Sequence, residues 1–451
     1  DRFALAYRDA FKVLYHSAVN DPGTGPWSPW GFDADFQSAP MLGAWDVVEE
    51  CPLLTEEDRL YITNHLLWYV QYMYEHARTH KPTRPAPRHN HYTFAALGLL
   101  LGAKYFDKYY KLPEAAQWLE EADDCFRVQM RAFKANEDCN SYQWLTFSHT
   151  LKYALIRPDH TFIENGMARL CLDLGIATMD NLGYQVPYGD VREWTGTFSE
   201  VPYYKAAAAV LRDPTYGVVL RRKEQIRPRY GPGKASGAFP PHGIMPVGYE
   251  YDVDIGEGRP LRRYFHVSAL PVEPLYFQAF DGPKHIDYGK SFDKIVFRHS
   301  LEPESDYLLL DGLSNGGHLH YDGNAIVRYT SKERIWLADA DYMQVSQKFH
   351  NTMLVFKDGR GGPIPPYMEF GEATWLEPLG YARSIARNYA GCDWVRHILE
   401  MHGWWYLVMD ELITKEVGWY DSRCLWRAVG RVALREEERL LCVEQDGPTM
   451  E

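Results

Sequence analysis

The sequence lacks the features that mark several large protein classes. It has no G-x-G-x-x-G run after a strand-like segment and no P-loop, which argues against hydride and phosphoryl transfer. Its formal net charge is −13, so the basic footprint that nucleic acids and anionic membranes attract is missing. No apolar run approaches the roughly 20 residues of a membrane span. We therefore expect neither a nucleic-acid partner nor a membrane partner.

The seven cysteines are few and lie far apart. No C-x-x-C pair occurs, so the cysteines indicate neither a disulfide framework nor a zinc knuckle, and their odd number leaves at least one thiol unpaired. The chain opens with an amphipathic run instead of a charged and then apolar leader. If the protein is exported, its signal has been removed, and the cysteines leave the redox compartment undecided.

Aromatic side chains are abundant, at 15% of 451 residues, with 32 Tyr and 14 Trp. Aromatic rings can stack on sugars, although large cores use them as well. A hydrophobic content of 46% with 24% charged residues is typical of globular proteins. At roughly 150 residues per domain, the length predicts two or three domains.

The segment from residue 1 to 235 has the periodicity of successive helices. Thr55 is a predicted N-cap, followed by acidic residues in the first turn and by apolar residues at three- and four-residue spacing. Further helices are predicted over residues 90–106, 112–134, 142–156, 161–182 and 199–212. The first of these is apolar on nearly all sides, so we expect it to be buried. Because apolar helices alternate with amphipathic ones, we predict layered helical hairpins, as in an α/α toroid or solenoid.

Proline and glycine are concentrated in residues 236–262, which we interpret as a linker or long loop. From residue 263 to 451 the hydrophobic period becomes two, in short runs such as KIVFRHS, YLLLDGL and NTMLVFKDG. Such runs predict antiparallel sheets packed as a sandwich. The predicted fold class is therefore α+β multidomain, an α/α toroid followed by an antiparallel β-sandwich. A strand-like run lies just before residue 451, which leaves open that the sandwich is incomplete.

One run, SNGGHLHYDGNAIVRYT at residues 314–330, has polar residues at alternate positions. His318, His320 and Asp322 would share one face of a strand, because residues i, i+2 and i+4 point the same way. Downstream, WLADADY supplies two aspartates and KFHNTMLVF supplies a histidine. A single histidine on a strand is usually a hydrogen-bonded structural residue. Two imidazoles and a carboxylate from adjacent strands instead predict a divalent-metal site, most simply for zinc.

These motifs resemble those of the heparinase II/III-like polysaccharide lyases and their alginate-lyase relatives. GGHLHYDGNAI is similar to the Gly-His-x-His-x-Asp-x-Asn run of that family, WLADADY to its strand ending in Asp before an aromatic turn, and HNTMLVF to its His-Asn-Thr strand start. RHNHYTFAALGLLLGA, residues 88–103, is similar to the Asn-His pair that opens a toroid helix. The resemblance implies a toroid followed by a β-sandwich, a cleft between these domains, and a periplasmic or secreted location.

The resemblance also implies a reaction, β-elimination on a uronate in an acidic polysaccharide, and roles for particular residues. His318 would face the catalytic cleft. Asn90 and His91 would meet the substrate carboxylate, where hydrogen-bond donors stabilise the charge that develops when the C5 proton leaves. A structural divalent metal, Zn²⁺ as the first choice, would be held by three residues, His320, Asp339 and His350.

The catalytic base is not settled by the resemblance. The family places a tyrosine on the next inward helix, but EDCNSYQWLTFSHTLKYAL, residues 137–155, has none at the expected turn. Tyr142 comes slightly early and His149 slightly late, and either side chain type can exchange protons near neutral pH when activated. Tyr188 is a reserve candidate. The cations expected to bind the polyanion are Arg84, Arg88, Arg221 and Arg222.

Two other functional classes stay open. A glycoside hydrolase needs two carboxylates flanking the scissile bond, and nothing in the sequence pairs the acidic residues of the helical half, such as Asp138 and Asp190. A non-catalytic protein that binds acidic glycans is the stronger rival, because the base is not identified. The sequence does not distinguish heparan-type glycosaminoglycans, hyaluronan, alginate, glucuronan and ulvan as ligands, and it leaves the oligomeric state unknown.

Overall fold

The computed structural model describes most of the chain. The residues outside the described part are 1, 21–33, 80, 82–84, 192–203, 205–209, 218, 220–264, 340–341, 446–448 and 451. The predicted linker and three of the arginines expected to bind substrate, Arg84, Arg221 and Arg222, lie outside the described residues. The backbone divides into two compact units. We call Asp1–Arg131 with Leu145–Asn165 the helical unit, and Ala132–Trp144 with Gly166–Glu451 the sandwich unit.

The helical unit contains most of the predicted helices, while the helix predicted over residues 199–212 lies mostly outside the described residues. They are α1 Arg2–Asn20, α2 Ala34–Val48, α3 Glu56–Thr79, α4 Asn90–Tyr110, α5 Ala115–Gln129, most of α6 Tyr142–Ile156, and α7 Thr161–Glu164. Thr55 caps α3 as predicted, because its hydroxyl accepts the Asp58 N–H at 3.0 Å. Helix α4 is buried along almost its whole length and packs against α2, α3 and α5, which confirms the expectation from its apolar sequence.

The sandwich unit contains the described strands together with further helices. The helices are α8 Met167–Ala177 and α9 Pro274–Ala279. The strands are β1 His266–Leu270, β2 Lys294–Arg298, β3 Tyr307–Asp311, β4 Ile326–Ser331, β5 Arg334–Ala338, β6 Met353–Lys357, β7 Arg360–Gly361, β8 Glu369–Leu376, β9 Leu379–Tyr389, β10 Cys392–Met401, β11 Trp405–Thr414, β12 Tyr420–Cys424, β13 Arg431–Arg435, β14 Leu440–Glu444 and β15 Thr449–Met450. The helix predicted over residues 161–182 is broken into α7 and α8 at Gly166, whose φ of +83° is left-handed.

The strands form antiparallel sheets, and the two largest sheets share an apolar core. A five-stranded sheet has the order β1-β2-β3-β4-β5, and a four-stranded sheet has the order β11-β10-β9-β8. Phe297 and Ile326 of the first sheet share a buried cluster with Trp394 and Ile398 of the second. Two three-stranded sheets, β12-β6-β7 and β13-β14-β15, complete the described strands. The α+β class with an antiparallel sandwich is therefore confirmed, while the toroidal arrangement of the helices stays a prediction.

The strand predicted through His318, His320 and Asp322 is wrong. These residues lie in a loop, and β4 begins only at Ile326. The backbone at Gly316 and His318 has φ of +103° and +56°, which no strand accommodates. Alternation of side chains between two faces therefore does not apply here. We call residues 314–325 the site loop.

Two general findings complete the description. Within the described residues, every helix is too short or too polar to cross a membrane. All seven cysteines are free thiols, and all but Cys51 and Cys424 are buried.

Candidate active site and metal centre

The site loop is fastened by its backbone to two other segments of the sandwich unit. The Gly317 N–H donates to the Asn136 carbonyl oxygen at 2.9 Å, and the Asp190 N–H donates to the His318 carbonyl oxygen at 2.9 Å. Gly189 makes the second contact possible, since its φ is +68° and a Cβ there would overlap the His318 carbonyl oxygen. Consequently, the loop has a fixed path although it is not a strand.

Tyr142 and His318 are partly exposed and lie in contact with each other. Their rings stack in parallel, with centroids 3.8 Å apart and an interplanar angle of 1°. The Tyr142 hydroxyl lies 3.4 Å from that of Tyr342. Burial, together with the hydrogen bond to Tyr342, raises the pKa of Tyr142 well above its usual value. Tyr142 therefore keeps its proton at neutral pH and can act as a proton donor.

Asp190 connects His318 to a second histidine. Its Oδ2 lies 3.5 Å from His318 Nδ1, and its Oδ1 lies 2.9 Å from His320 Nε2. The Met343 N–H also donates to Oδ1 at 3.0 Å. Burial alone would raise the pKa of Asp190, but the hydrogen bonds from the two histidines and from Met343 hold it well below its usual range. Asp190 is thus a carboxylate that orients both imidazoles.

Four buried side chains lie together behind His318. His320, Asp322, Asp339 and His350 each offer a ligand atom, and these atoms lie within 4.8 Å of one another. The cluster contains the three residues predicted to hold a metal and adds Asp322. Two imidazoles and two carboxylates form a ligand set that suits zinc and other first-row divalent ions. The cluster can therefore hold a metal ion.

The hydrogen bonds of the cluster fit a bound cation. Asp322 Oδ1 and Oδ2, Asp339 Oδ2 and His320 Nδ1 are buried and have no hydrogen-bond partner among the described residues. Since His320 Nε2 faces Asp190, its Nδ1 is the nitrogen left to coordinate an ion. Buried acceptors without partners are costly, and a cation would satisfy all four atoms.

The pKa values of the cluster also fit a bound cation. Burial, and next the charge of Asp339, raise the pKa of Asp322 to about 7. Burial acts to lower the pKa of His350, but the charge of Asp339 and its hydrogen bond, at 2.7 Å, outweigh burial and raise it to about 9. Acidic groups this close together compete for protons, and a bound divalent ion would take the place of those protons.

A fully buried charge network underlies the site loop. Lys294 Nζ lies 3.0 Å from Asp138 Oδ1 and 2.9 Å from both Asp293 Oδ1 and Asp311 Oδ1. Tyr188 packs its ring 4.2 Å from the same ammonium group and is itself fully buried. Burial raises the pKa of Tyr188 well above its usual value. Tyr188 is therefore enclosed by its neighbours, and its reserve catalytic role stays a prediction.

The other predicted site residues lie in the helical unit. Asn90, the first residue of α4, is fully buried, and His91 packs against Phe36 with ring centroids 4.9 Å apart. His149 is also buried, with Nδ1 2.9 Å from the Thr93 hydroxyl. The guanidinium of Arg88 lies over the Tyr92 ring at 5.3 Å.

Three residues of the site were not assigned to it from the sequence. Asp190 was considered only as a hydrolase carboxylate, Asp322 was left out of the ligand set, and Tyr342 was not considered. For Asp322 a signal existed, because it follows His320 by two residues in the polar run. Asp190 and Tyr342 are distant in sequence from His318, and no spacing rule connects them to it.

Comparisons with known proteins were made by sequence and by structure. No family model and no curated protein matches the sequence. Among solved structures, heparinase III superposes with a TM-score of 0.62 at 10% identity, covering 96% of this chain and 63% of its own. Heparan sulfate lyase HepC from Pedobacter heparinus superposes with a TM-score of 0.58 at 12% identity, covering 99% of this chain and 66% of its own.

The chain is therefore shorter than the structures it matches, spanning 63% and 66% of their lengths. A HepC mutant structure agrees, with a TM-score of 0.59 at 12% identity. The TM-scores establish that the fold is shared. The protein has the helical and β-sandwich fold of the heparinase III and heparan sulfate lyase structures.

Proposed function

We propose that the protein is a polysaccharide lyase that cleaves an acidic polysaccharide at a uronate by β-elimination. The observation that carries the proposal is the Tyr142–His318 pair, stacked at 3.8 Å and oriented by Asp190 beside a metal-binding cluster. A proton donor and a proton acceptor side by side are what an elimination needs. The shared fold with polysaccharide lyases supports the same conclusion.

The proposed reaction has one proton removed and one delivered. A base takes the proton from C5 of the uronate, and the electrons of that C–H bond form a double bond between C4 and C5. The bond between C4 and the glycosidic oxygen breaks, and that oxygen receives a proton from an acid. The products are an unsaturated uronate end and a new hydroxyl end.

His318 is the proposed base. With Asp190 facing Nδ1 at 3.5 Å, we assign the proton of the neutral imidazole to Nδ1 and the acceptance of the C5 proton to Nε2. Asp190 also stabilises the imidazolium that forms when His318 takes the C5 proton. Tyr142 is the proposed acid, because its hydroxyl is protonated at neutral pH and its ring lies against that of His318.

We further propose that His320, Asp322, Asp339 and His350 hold Zn²⁺. The ion would tie the site loop to the residues that follow β5 and precede β6, and so would keep the backbone of His318 in place. The helical-unit residues Asn90, His91, His149 and Arg88 keep their predicted roles as proposals. We also propose a periplasmic or secreted location, where such polymers occur.

The test is ultraviolet absorbance of the conjugated uronate during incubation with heparan sulfate, hyaluronan, alginate, glucuronan and ulvan. We expect a rise with at least one polymer, and a decrease in rate of about 10²–10⁴-fold in His318→Ala and in Tyr142→Phe. Tyr288→Phe is a matched control, since Tyr288 is half-exposed and its hydroxyl donates to the Val272 carbonyl oxygen, away from the site.

The outcomes separate the alternatives. New reducing ends without absorbance would indicate a hydrolase, and binding without cleavage would indicate a glycan-binding protein. A rise that both variants retain would refute the roles assigned to His318 and Tyr142, although the lyase activity itself would stand. The polymer that gives the rise identifies the substrate class.

A further inference from the structure

A second mixed cluster lies at another position in the sandwich unit. Asp306 precedes β3, Glu400 lies near the end of β10, and His402 lies in the turn from β10 to β11. Their ligand atoms lie within 4.8 Å of one another. None of the three belongs to the cluster of His320 and His350, and the proposed lyase reaction uses none of them.

Two polar atoms of this cluster are buried and lack hydrogen-bond partners among the described residues. Glu400 is fully buried, with Oε1 accepting the Tyr406 hydroxyl at 2.6 Å. Its Oε2 is buried and has no hydrogen-bond partner among the described residues. His402 Nδ1 also lacks a hydrogen-bond partner there and lies 3.7 Å from Glu400 Oε1. Glu400 and His402 thus each have a polar atom without a hydrogen-bond partner among the described residues, and both side chains belong to the same cluster.

The surrounding backbone holds the three residues in place. The Gly403 N–H donates to Asp306 Oδ2 at 2.9 Å, and Gly403 has a φ of +72°, which closes the turn. The His402 N–H donates to the Pro378 carbonyl oxygen at 3.0 Å. The His402 ring stacks on His299, with centroids 3.6 Å apart. The ligands are therefore positioned in advance, which lowers the cost of binding.

The chemistry of the cluster suits a divalent cation. Two carboxylates side by side repel each other when both are ionised, and a cation between them relieves that repulsion. Imidazole with carboxylate oxygens is a ligand set for zinc and other first-row ions. An entry route exists, because Asp306 and Gly403 line a groove of about 730 Å³.

We propose that Asp306, Glu400 and His402 form a second divalent-metal site of the Zn²⁺ type. Three protein ligands leave at least one coordination position for water or for an anionic group that enters through the groove. The groove is also lined by Trp404 and Trp405, which are exposed. The inference does not depend on the proposed lyase function.

The experiment measures bound Zn²⁺ on the full chain by equilibrium dialysis and elemental analysis. We expect Glu400→Gln and His402→Gln each to bind one equivalent less than wild type. His350→Gln should lose the equivalent bound by the cluster of His320 and His350. The double variant that combines His350→Gln with His402→Gln should therefore bind two equivalents less than wild type. His397→Gln is the matched control, since it is the same substitution on β10 and lies outside the cluster.

Wild-type stoichiometry in both Glu400→Gln and His402→Gln would overturn the proposal. Circular dichroism first establishes that each variant is folded. If neither folds, a Co²⁺ titration of His350→Gln decides, because the visible spectrum of bound Co²⁺ should still appear with an end point at one equivalent. A titration without that spectrum would refute the site.

Discussion

Glu273 makes the free energy of unfolding depend on pH, and one substitution should remove that dependence. Its side chain caps α9 by accepting the Tyr276 N–H at 2.7 Å, and Tyr276 donates its hydroxyl to the carbonyl oxygen of Asn315 in the site loop. Burial raises the pKa of Glu273 from 4.5 to about 7. The capped helix therefore connects the protonation of one buried carboxyl to the loop that carries His318.

The sign of the effect follows from the direction of this shift. The folded protein binds the Glu273 proton more tightly than the unfolded chain does, so stability from this group is complete below pH 4.5 and is lost as the pH rises through about 7. A difference of about 2.5 in pKa at about 1.36 kcal/mol per pH unit amounts to about 3 kcal/mol. Glu273→Gln keeps an oxygen to cap Tyr276 and carries no charge.

The assay is urea unfolding of wild type and Glu273→Gln at pH 4, 6 and 8. We expect equal stability at pH 4 and an advantage of up to about 3 kcal/mol for the variant at pH 8. Asp287→Asn, a charge removal on the surface near the same region, controls for the general effect of losing an acid. An advantage that is the same at pH 4 and pH 8, or a variant less stable at pH 8, would refute the reasoning.

Three further predictions concern the buried charges and the metal cluster. Lys294→Met removes the ammonium group beside the buried Asp311 and leaves Asp138 and Asp293 with Lys134, so it should cost about 3–5 kcal/mol in chemical unfolding. Lys290→Met at the surface should cost little, and equal costs would contradict the buried network. Asp190→Asn should weaken Zn²⁺ binding by about 10–100-fold in dialysis, because it removes the charge that orients His320; unchanged affinity would show that Asp190 does not support the ion. Removing bound metal with a chelator should lower the free energy of unfolding of wild type, measured by thermal unfolding, by about 2.7 kcal/mol for each site occupied at 100 times Kd. The double variant that combines His350→Gln with His402→Gln should be unaffected, because it lacks a ligand at both proposed sites.

Much of the fold could be predicted from the sequence because it depends on local patterns. The apolar run at 90–106 became the buried helix α4, and the alternating runs KIVFRHS and YLLLDGL became β2 and β3. The long strands β9 and β10 were not predicted individually, because charged residues such as Arg387 and Arg396 interrupt their alternation. Those side chains are paired with acids at 2.6–2.8 Å, a compensation that appears only in three dimensions.

The site loop shows where sequence reasoning failed. A run with polar residues at every second position is typical of a strand, yet Gly316 and His318 have left-handed backbones and the segment is a loop. The prediction that His320 and its partners gather with His350 nevertheless agrees with the cluster that the structure contains. It rested on residue types and on resemblance, which do not require the strand.

The sequence by itself determined the class of fold, the identity of the polar residues and the chemistry they can perform, because residue types and their periods are local properties. The tertiary structure alone decided which of these residues meet. Asp190 faces both His318 and His320, and Tyr142 stacks on His318, across separations of more than a hundred residues. It also decided that Tyr188 lies in the interior and that Asp322 completes the metal cluster, since burial and proximity depend on how distant segments pack.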